Sequence, residues 1–280
     1  SIPVSKAPKD TEPTMPLAEP TPVAPRVLIL GAGPAGLAAA ARLGRAGVEV
    51  ALVDREASTG GRLRSVTRLL DGASPRALLE TLRNEVDALE NVEQLLGWEL
   101  VSHSGGPGLY TAAVRPVDGG SERQIKHGAM ILATGCDEID PGNQFGFDRG
   151  HPGVLTQPSF ADLLESSEPL ATERPKVVMI QCVGSRDETN PNCSGVCCHH
   201  AIKNALALFE KAPGARVFVL HEDLRTVGFD ELSYERARSQ GLLPIRLAEG
   251  TTPTVEPLEK GARVRFTDEL LGRRVRLDAD

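Results

Sequence analysis

The sequence predicts an α/β protein made of two doubly wound domains. Three observations carry this. Short apolar runs alternate with helix-forming stretches over residues 26–54, and again over residues 176–246. A glycine-rich turn joins the first run to the helix after it. A Pro- and Gly-rich stretch, Pro141 to Pro152, divides the two alternating regions.

Arg26 to Leu30 is long enough for a buried parallel strand. The run Gly31-Ala32-Gly33-Pro34-Ala35-Gly36 follows at once, then the helix-forming stretch Leu37 to Leu43. A second strand spans Val48 to Val53 and ends at Asp54-Arg55. This order is the Rossmann-like fingerprint of a dinucleotide site. Gly31 permits the tight turn, Gly33 lets backbone approach a pyrophosphate, and Gly36 lets helix and strand pack closely. The phosphates then meet the positive end of the helix, and Pro34 and Ala35 count with the three glycines as cofactor-binding residues. Asp54 is placed to accept the hydroxyls of an adenosine ribose. Leu78 to Leu89 reads as a helix. Residues 93–126 read as a small antiparallel β meander with turns at Gly105-Gly106 and Gly119-Gly120.

Two further motifs point to the type of dinucleotide. Gly60-Gly61-Arg62, just after the second strand, resembles the glycine pair of FAD-containing two-dinucleotide-domain flavoproteins. Ala129 to Leu132 is an apolar strand ending in Ala133-Thr134-Gly135, similar to the segment that closes the first FAD portion in that family.

In the second half, strands are expected at Lys176 to Cys182, Ala215 to Leu220 and Leu242 to Arg246. Helices are expected at Ala201 to Leu208 and Asp230 to Ser239. No glycine fingerprint follows the first of these strands. Its place is taken by Cys182-Val183-Gly184-Ser185-Arg186-Asp187, and then by Cys193, Cys197 and Cys198 ahead of a helix. Four thiolates match the ligand need of a [4Fe–4S] cluster, and a helix N-terminus favours negative charge. The residues alone leave structural zinc, a redox thiol relay and inert cysteines open. His199 and His200 read as first-turn helix residues, and Cys136 as a small buried residue rather than a redox thiol.

The boxes Cys182 to Asp187 and Cys193 to Cys198 resemble those of the heterodisulfide reductase A-subunit family, as do Ala201 to Leu206 and Asp223-Leu224-Arg225-Thr226. With the FAD motifs, the likeness covers about residues 26–280. It implies a thioredoxin-reductase-like pair of domains, FAD in the first, and a [4Fe–4S] cluster on Cys182, Cys193, Cys197 and Cys198. It further implies an oxidoreductase acting on sulfur donors as one component of a complex. Electrons would pass between FAD and the cluster toward a disulfide-reducing subunit, with a ferredoxin or hydrogenase-type donor. Homo-oligomers are compatible with it. Residues 62–135 contain no cysteine, unlike members with an inserted ferredoxin domain. No individual residue is singled out as catalytic. Arg186 and Arg225 are candidates for supporting the cysteine loop or for ordinary surface positions. An NAD(P)H-dependent FAD oxidoreductase is an alternative that lacks its second glycine fingerprint. A zinc-binding scaffold is another, decided by metal content.

The expected domains are a Pro-rich linker over residues 1–25, an FAD-binding domain over 26–150 and a second Rossmann-like domain over 151–280. The start at Ser1 suggests processing or excision from a longer chain, and the resemblance implies a closing FAD segment after residue 280, supplied either by a longer chain or by a partner. The net charge of -7 argues against a nucleic-acid surface. No apolar run approaches the roughly 20 residues of a membrane span, and no secretory h-region is visible, so a cytoplasmic location is expected.

Overall fold

A computed structural model describes residues 23–280, so nearly all of the expected linker lies outside the described residues. The chain divides into two compact units. The first comprises residues up to Thr59 together with Leu89–Ala133. The second comprises Gly60–Ala88 together with Thr134–Asp280.

The first unit is built on a four-stranded parallel sheet. β1 (Arg26–Leu30) lies between β2 (Glu49–Asp54) and β7 (Ala129–Leu132), and β3 (Val92–Leu96) extends the β2 side. The helix α1 (Pro34–Arg45) starts on Gly33 in extended conformation. Pro34 occupies its first turn, where a missing N–H costs nothing. Gly36, Leu37, Ala40, Ala41 and Gly44 form its buried stripe. The strands β4 (Trp98–Gly106), β5 (Leu109–Pro116) and β6 (Arg123–His127) form an antiparallel meander. Its Ala112, Val114 and Ile125 pack with Leu28, Leu30, Ala51 and Val53 of the parallel sheet. The parallel sheet thus has a meander on one face, while α1 packs against β1 and β2.

The meander expected over residues 93–126 is therefore shorter than its span. Residues 92–96 pair in parallel with β2, Val92 opposite Val50, and bury Val92 and Leu95. Gly97, at φ +75°, turns the chain from one sheet into the other. The first helix begins at Pro34 rather than Leu37, because a proline fits that opening position.

His127 closes β6 fully buried. Its Nδ1 lies 3.2 Å from the Ile125 carbonyl and its Nε2 lies 3.1 Å from His103 Nε2. Burial lowers its pKa below the ordinary histidine value, and the His103 charge adds in the same direction. The unfolded chain therefore binds the proton more readily. The stabilisation is present above about pH 6.5 and is lost as pH falls through the folded-state value. Thermal unfolding of the wild type is expected to soften below that pH. His127→Gln should show a shallower acid slope; an identical slope would exclude His127 as the source.

The second unit repeats the same layering. The strands β8 (Lys176–Ile180), β9 (Arg216–His221) and β10 (Leu242–Arg246) form a parallel sheet in the order β10-β9-β8. Besides α2 (Pro75–Asp87), it contains α3 (Gln157–Glu165), α4 (Cys197–Lys211) and α5 (Asp230–Gln240). Ala201, Ile202, Ala205 and Leu208 of α4 pack with Val217, Val219 and Met179. A second antiparallel meander, β11 (Thr254–Pro257), β12 (Ala262–Asp268) and β13 (Arg273–Ala279), lays Val264 and Phe266 against Leu220 with Val178 and Ile180.

Four differences from expectation stand out here. The strand expected to reach Cys182 ends at Ile180, and Cys182 itself adopts φ +61°. The helix expected over residues 201–208 runs from Cys197 to Lys211, so His199 and His200 lie in its first turn as expected and two cysteines enter it as well. The closing meander was not anticipated. Its signal was the alternation Ala262, Val264, Phe266 against Arg263, Arg265, Thr267. In α2, Ser74 caps the start by accepting from the Ala77 N–H, which places it at Pro75 rather than Leu78.

Candidate functional site

In the first unit, the glycine run forms a tight cradle at the carboxyl end of β1. Gly31 takes φ +104°, a region closed to most side chains. Its N–H donates to the Val53 carbonyl. A Cβ on Gly36 would stand 1.8 Å from the Gly31 carbonyl oxygen, so the turn and α1 touch through glycine alone. A Cβ on Gly33, by contrast, would meet nothing within 4 Å. That open space faces the first turn of α1, whose N–H groups lack intrahelical acceptors. The room and the donors fit a pyrophosphate.

Asp54 ends β2 beside this cradle. One carboxylate oxygen accepts from the Ala32 N–H at 2.5 Å and the other from the Glu56 N–H at 2.8 Å. These bonds lock the acid to the glycine turn and still leave lone pairs for hydroxyl donors. Sequence reasoning placed Asp54 here but missed that it also braces the loop. Arg55 follows it. Ala133 carries its N–H to the Leu30 carbonyl at 2.7 Å, bringing the end of β7 beside β1.

Gly60, Gly61, Arg62, Thr134 and Gly135 belong to the second unit. Gly60 adopts φ +114° and caps a short 3-10 turn, Gly61–Arg64. Arg62 pairs with Glu138 at 2.9 Å.

The cysteines gather at the carboxyl end of β8. Cys182, Gly184 and Arg186 all take positive φ, which folds the loop back on itself. The Asn190 side-chain amide donates to the Gly184 carbonyl, and one Asp187 carboxylate oxygen accepts from the Thr189 and Asn190 N–H groups. Gln181, buried, donates through its side-chain amide to the Cys197 carbonyl at 3.2 Å. This residue was missed; a polar side chain ending an apolar strand was its signal.

Cys182, Cys197 and Cys198 interact electrostatically. The Cys197 sulfur accepts from the Cys198 thiol, the Ser194 hydroxyl and nearby backbone N–H groups, which pulls its pKa down to about 5. Cys198, the donor of that bond and buried, is pushed up. Burial also raises Cys182. The Arg225 N–H donates to the Cys198 sulfur at 3.4 Å. Cys193 is turned toward its own loop, accepting from the Gly195 N–H at 3.3 Å. Among the described residues, no group of three or more His, Cys, Asp or Glu side chains is arranged to hold a single metal ion.

An ionic web braces this end of the sheet. Arg186 reaches Asp223 at 3.0 Å and Glu222 at 3.2 Å, and Arg246 reaches Glu269 at 2.9 Å. His199 Nε2 lies 2.9 Å from Asp230 Oδ2 but off the line of a hydrogen bond. Cys136 is exposed rather than buried, in the irregular stretch that follows β7.

The layered plan is one seen in solved thioredoxin reductases. The chain is similar to thioredoxin reductase from Lactococcus lactis, with TM-score 0.50 and 15% identity over 91% of this chain and 75% of that one. It is likewise similar to T. acidophilum thioredoxin reductase, with TM-score 0.52 and 14% identity over 92% and 75%. At such identity the likeness is one of fold. Residues 25–184 match the pyridine nucleotide-disulphide oxidoreductase family, and the chain belongs to it. Among curated relatives, it is 34% identical to the A subunit of H(2)/formate:CoB-CoM heterodisulfide,ferredoxin reductase from Methanococcus maripaludis, over 60% of this chain and 28% of that protein. It is 25% identical to the A subunit of Ferredoxin:CoB-CoM heterodisulfide reductase from Methanosarcina acetivorans, over 92% of this chain and 47% of that protein. The chain thus spans less than half the length of these relatives. The family is one of oxidoreductases. No helix among the described residues is long and apolar enough to cross a membrane.

Proposed function

We propose that the chain is the electron-transfer part of a flavoprotein similar to the A subunit of heterodisulfide reductase. In this reading it holds FAD on the first unit and a [4Fe–4S] cluster on Cys182, Cys193, Cys197 and Cys198. One observation carries it. Both units place a loop between the first strand of their parallel sheet and a helix after it, but with different chemistry. After β1 the loop is bare glycine, opening on α1. After β8 it presents thiols, two of them in the first turn of α4. The position that receives phosphate in one unit offers soft, anionic ligands in the other.

The donor set suits an iron–sulfur cluster in three respects. The Cys197 thiol is held below the ordinary cysteine range by its hydrogen-bond donors, so it gives up its proton more readily on ligation. The Arg225 N–H already points at a sulfur, as hydrogen bonds that tune clusters do. Val196 at the start of α4 makes no side-chain cap, leaving first-turn N–H groups for anionic sulfur. Completing the four ligands requires Cys193 to turn from Gly195. FAD and the cluster, when bound, supply two-electron and one-electron chemistry respectively. In the first unit, Gly31 to Gly36 bind and orient the pyrophosphate and Asp54 fixes the ribose. Gly60, Gly61, Arg62, Thr134 and Gly135 are assigned to the same cofactor by their motifs. In the second, Gln181 and the Arg186 ion pairs hold the thiol loop in place.

The partners fitting this role, in the cytoplasm, are a ferredoxin or hydrogenase-type donor and a disulfide-reducing subunit. Anaerobic purification should yield about one FAD and about four iron atoms per chain, with the EPR signal of a reducible cluster. Protein holding zinc and no iron would defeat the electron-transfer reading.

A further inference from the structure

We infer that His103 and His127 form a two-histidine site for a divalent metal ion of the zinc, copper or nickel class, on the meander of the first unit. The two residues come from the outer strands of that meander, β4 and β6, with β5 between them. Backbones two strands apart in a sheet are separated by about 10 Å. The two rings nonetheless converge, Nε2 to Nε2, at 3.1 Å. The β5 residues beneath them make this possible. His103 lies opposite Ala112, whose side chain is a single methyl, and His127 lies opposite Tyr110. The Tyr110 ring lines the pair, its centroid 4.9 Å from that of His103 and 5.6 Å from that of His127. All of these residues lie in the first unit, whereas the cysteine loop lies in the second.

The His127 ring is already fixed for ligation. Its Nδ1 lies 3.2 Å from the Ile125 carbonyl oxygen, which can only accept, so Nδ1 carries the proton and Nε2 a lone pair. Metal-ligating histidines are held in this way, the second ring nitrogen donating to a carbonyl or carboxylate. His127 is fully buried, and its lone pair meets His103 rather than solvent. Without metal, His103 Nε2 donates its proton to that lone pair. His103 is exposed, so its proton can reside on Nδ1 instead, and two lone pairs then face one ion with no net proton released. The spacing agrees. Zinc holds imidazole nitrogens at about 2.0–2.1 Å, which sets two of them about 2.9 Å apart at a right angle and about 3.3 Å apart at the tetrahedral angle. The observed 3.1 Å falls between these values. Imidazole nitrogens suit zinc, copper and nickel, whereas magnesium and calcium take oxygen ligands. Among the described residues no third His, Cys, Asp or Glu joins the pair, so an ion here completes its shell with water. It would tie β4 to β6 across β5 and stabilise the folded unit by mass action.

Residue-resolved NMR tests this without interference from metal held by the thiols. The whole chain, isotope-labelled at the ring nitrogens of its six histidines, is titrated with zinc chloride. The Nε2 signals of His103 and His127 are expected to shift together, with one dissociation constant, while His127 Nδ1 keeps its proton. His103→Gln changes an exposed side chain and should weaken the His127 response at least tenfold. Cys197→Ser should leave that response unchanged. A His127 ring unmoved up to millimolar zinc would overturn the proposal, as would a shift of either histidine without the other. An undiminished His127 response in His103→Gln would overturn it equally.

Discussion

Gly36→Ala is expected to abolish retention of FAD and to weaken the fold. The added methyl would sit 1.8 Å from the Gly31 carbonyl oxygen, which is backbone and cannot rotate away. Either α1 lifts off β1 or the turn distorts. Overpacking of this kind typically costs about 1–3 kcal/mol of stability. Binding suffers more, because the first-turn N–H groups no longer aim at the pyrophosphate. Losing two charge-assisted hydrogen bonds, about 1.5–3 kcal/mol each, weakens binding by roughly a hundredfold to ten-thousandfold. Gly33→Ala separates the two effects. Its methyl meets nothing within 4 Å and its φ of -72° suits any residue. That variant should melt like the wild type yet bind FAD poorly, since the methyl occupies the cofactor's place. Flavin titration by fluorescence, beside a thermal melt, reads both. Wild-type affinity in Gly36→Ala would remove the glycine turn from the site.

Cys197→Ser should reduce iron to near none while leaving the fold in place. Cys197 is the thiol that the loop prepares most thoroughly, accepting from Cys198, Ser194 and backbone N–H groups. A serine hydroxyl does not ionise near neutrality and is a hard ligand where a soft one is needed. Cys136→Ser is the matched control: that thiol is exposed and outside the loop, so iron should stay at the wild-type level. Iron analysis with visible spectra of anaerobic protein decides the matter. Equal iron in both variants would show that Cys197 is not a ligand.

Much of this was legible in the residues. The unit β1-α1-β2 was readable because its two apolar strands, its glycines and Asp54 fall at spacings that one geometry explains. The cysteine boxes were readable because four of the five cysteines stand within one polar stretch. What escaped detection depends on contacts distant in sequence. Val92 to Leu96 mixes Glu93 and Gln94 with apolar neighbours, and only pairing with β2 shows that it extends the parallel sheet. The β11–β13 meander carries arginines on its exposed side, which dilute its apolar signal. The Asp54–Ala32 bond and the Gln181–Cys197 bond join residues 22 and 16 positions apart, so no local pattern announces them. Nor does spacing reveal that Cys193 faces its own loop while its fellows interact.

The order β3-β2-β1-β7 has a consequence for synthesis. Of the strands of this sheet β1 leaves the ribosome first, and one of its neighbours follows after a short helix. The other does not emerge until residue 129, about a hundred residues later. At typical translation rates of about 5–20 residues per second, that interval lasts roughly 5–20 s. Throughout it, the buried strand β1 has one side unclaimed. The nascent chain is thus obliged to protect Leu28, Ile29 and Leu30 before their final neighbour exists, and this is the stage at which a chaperone has most to contribute.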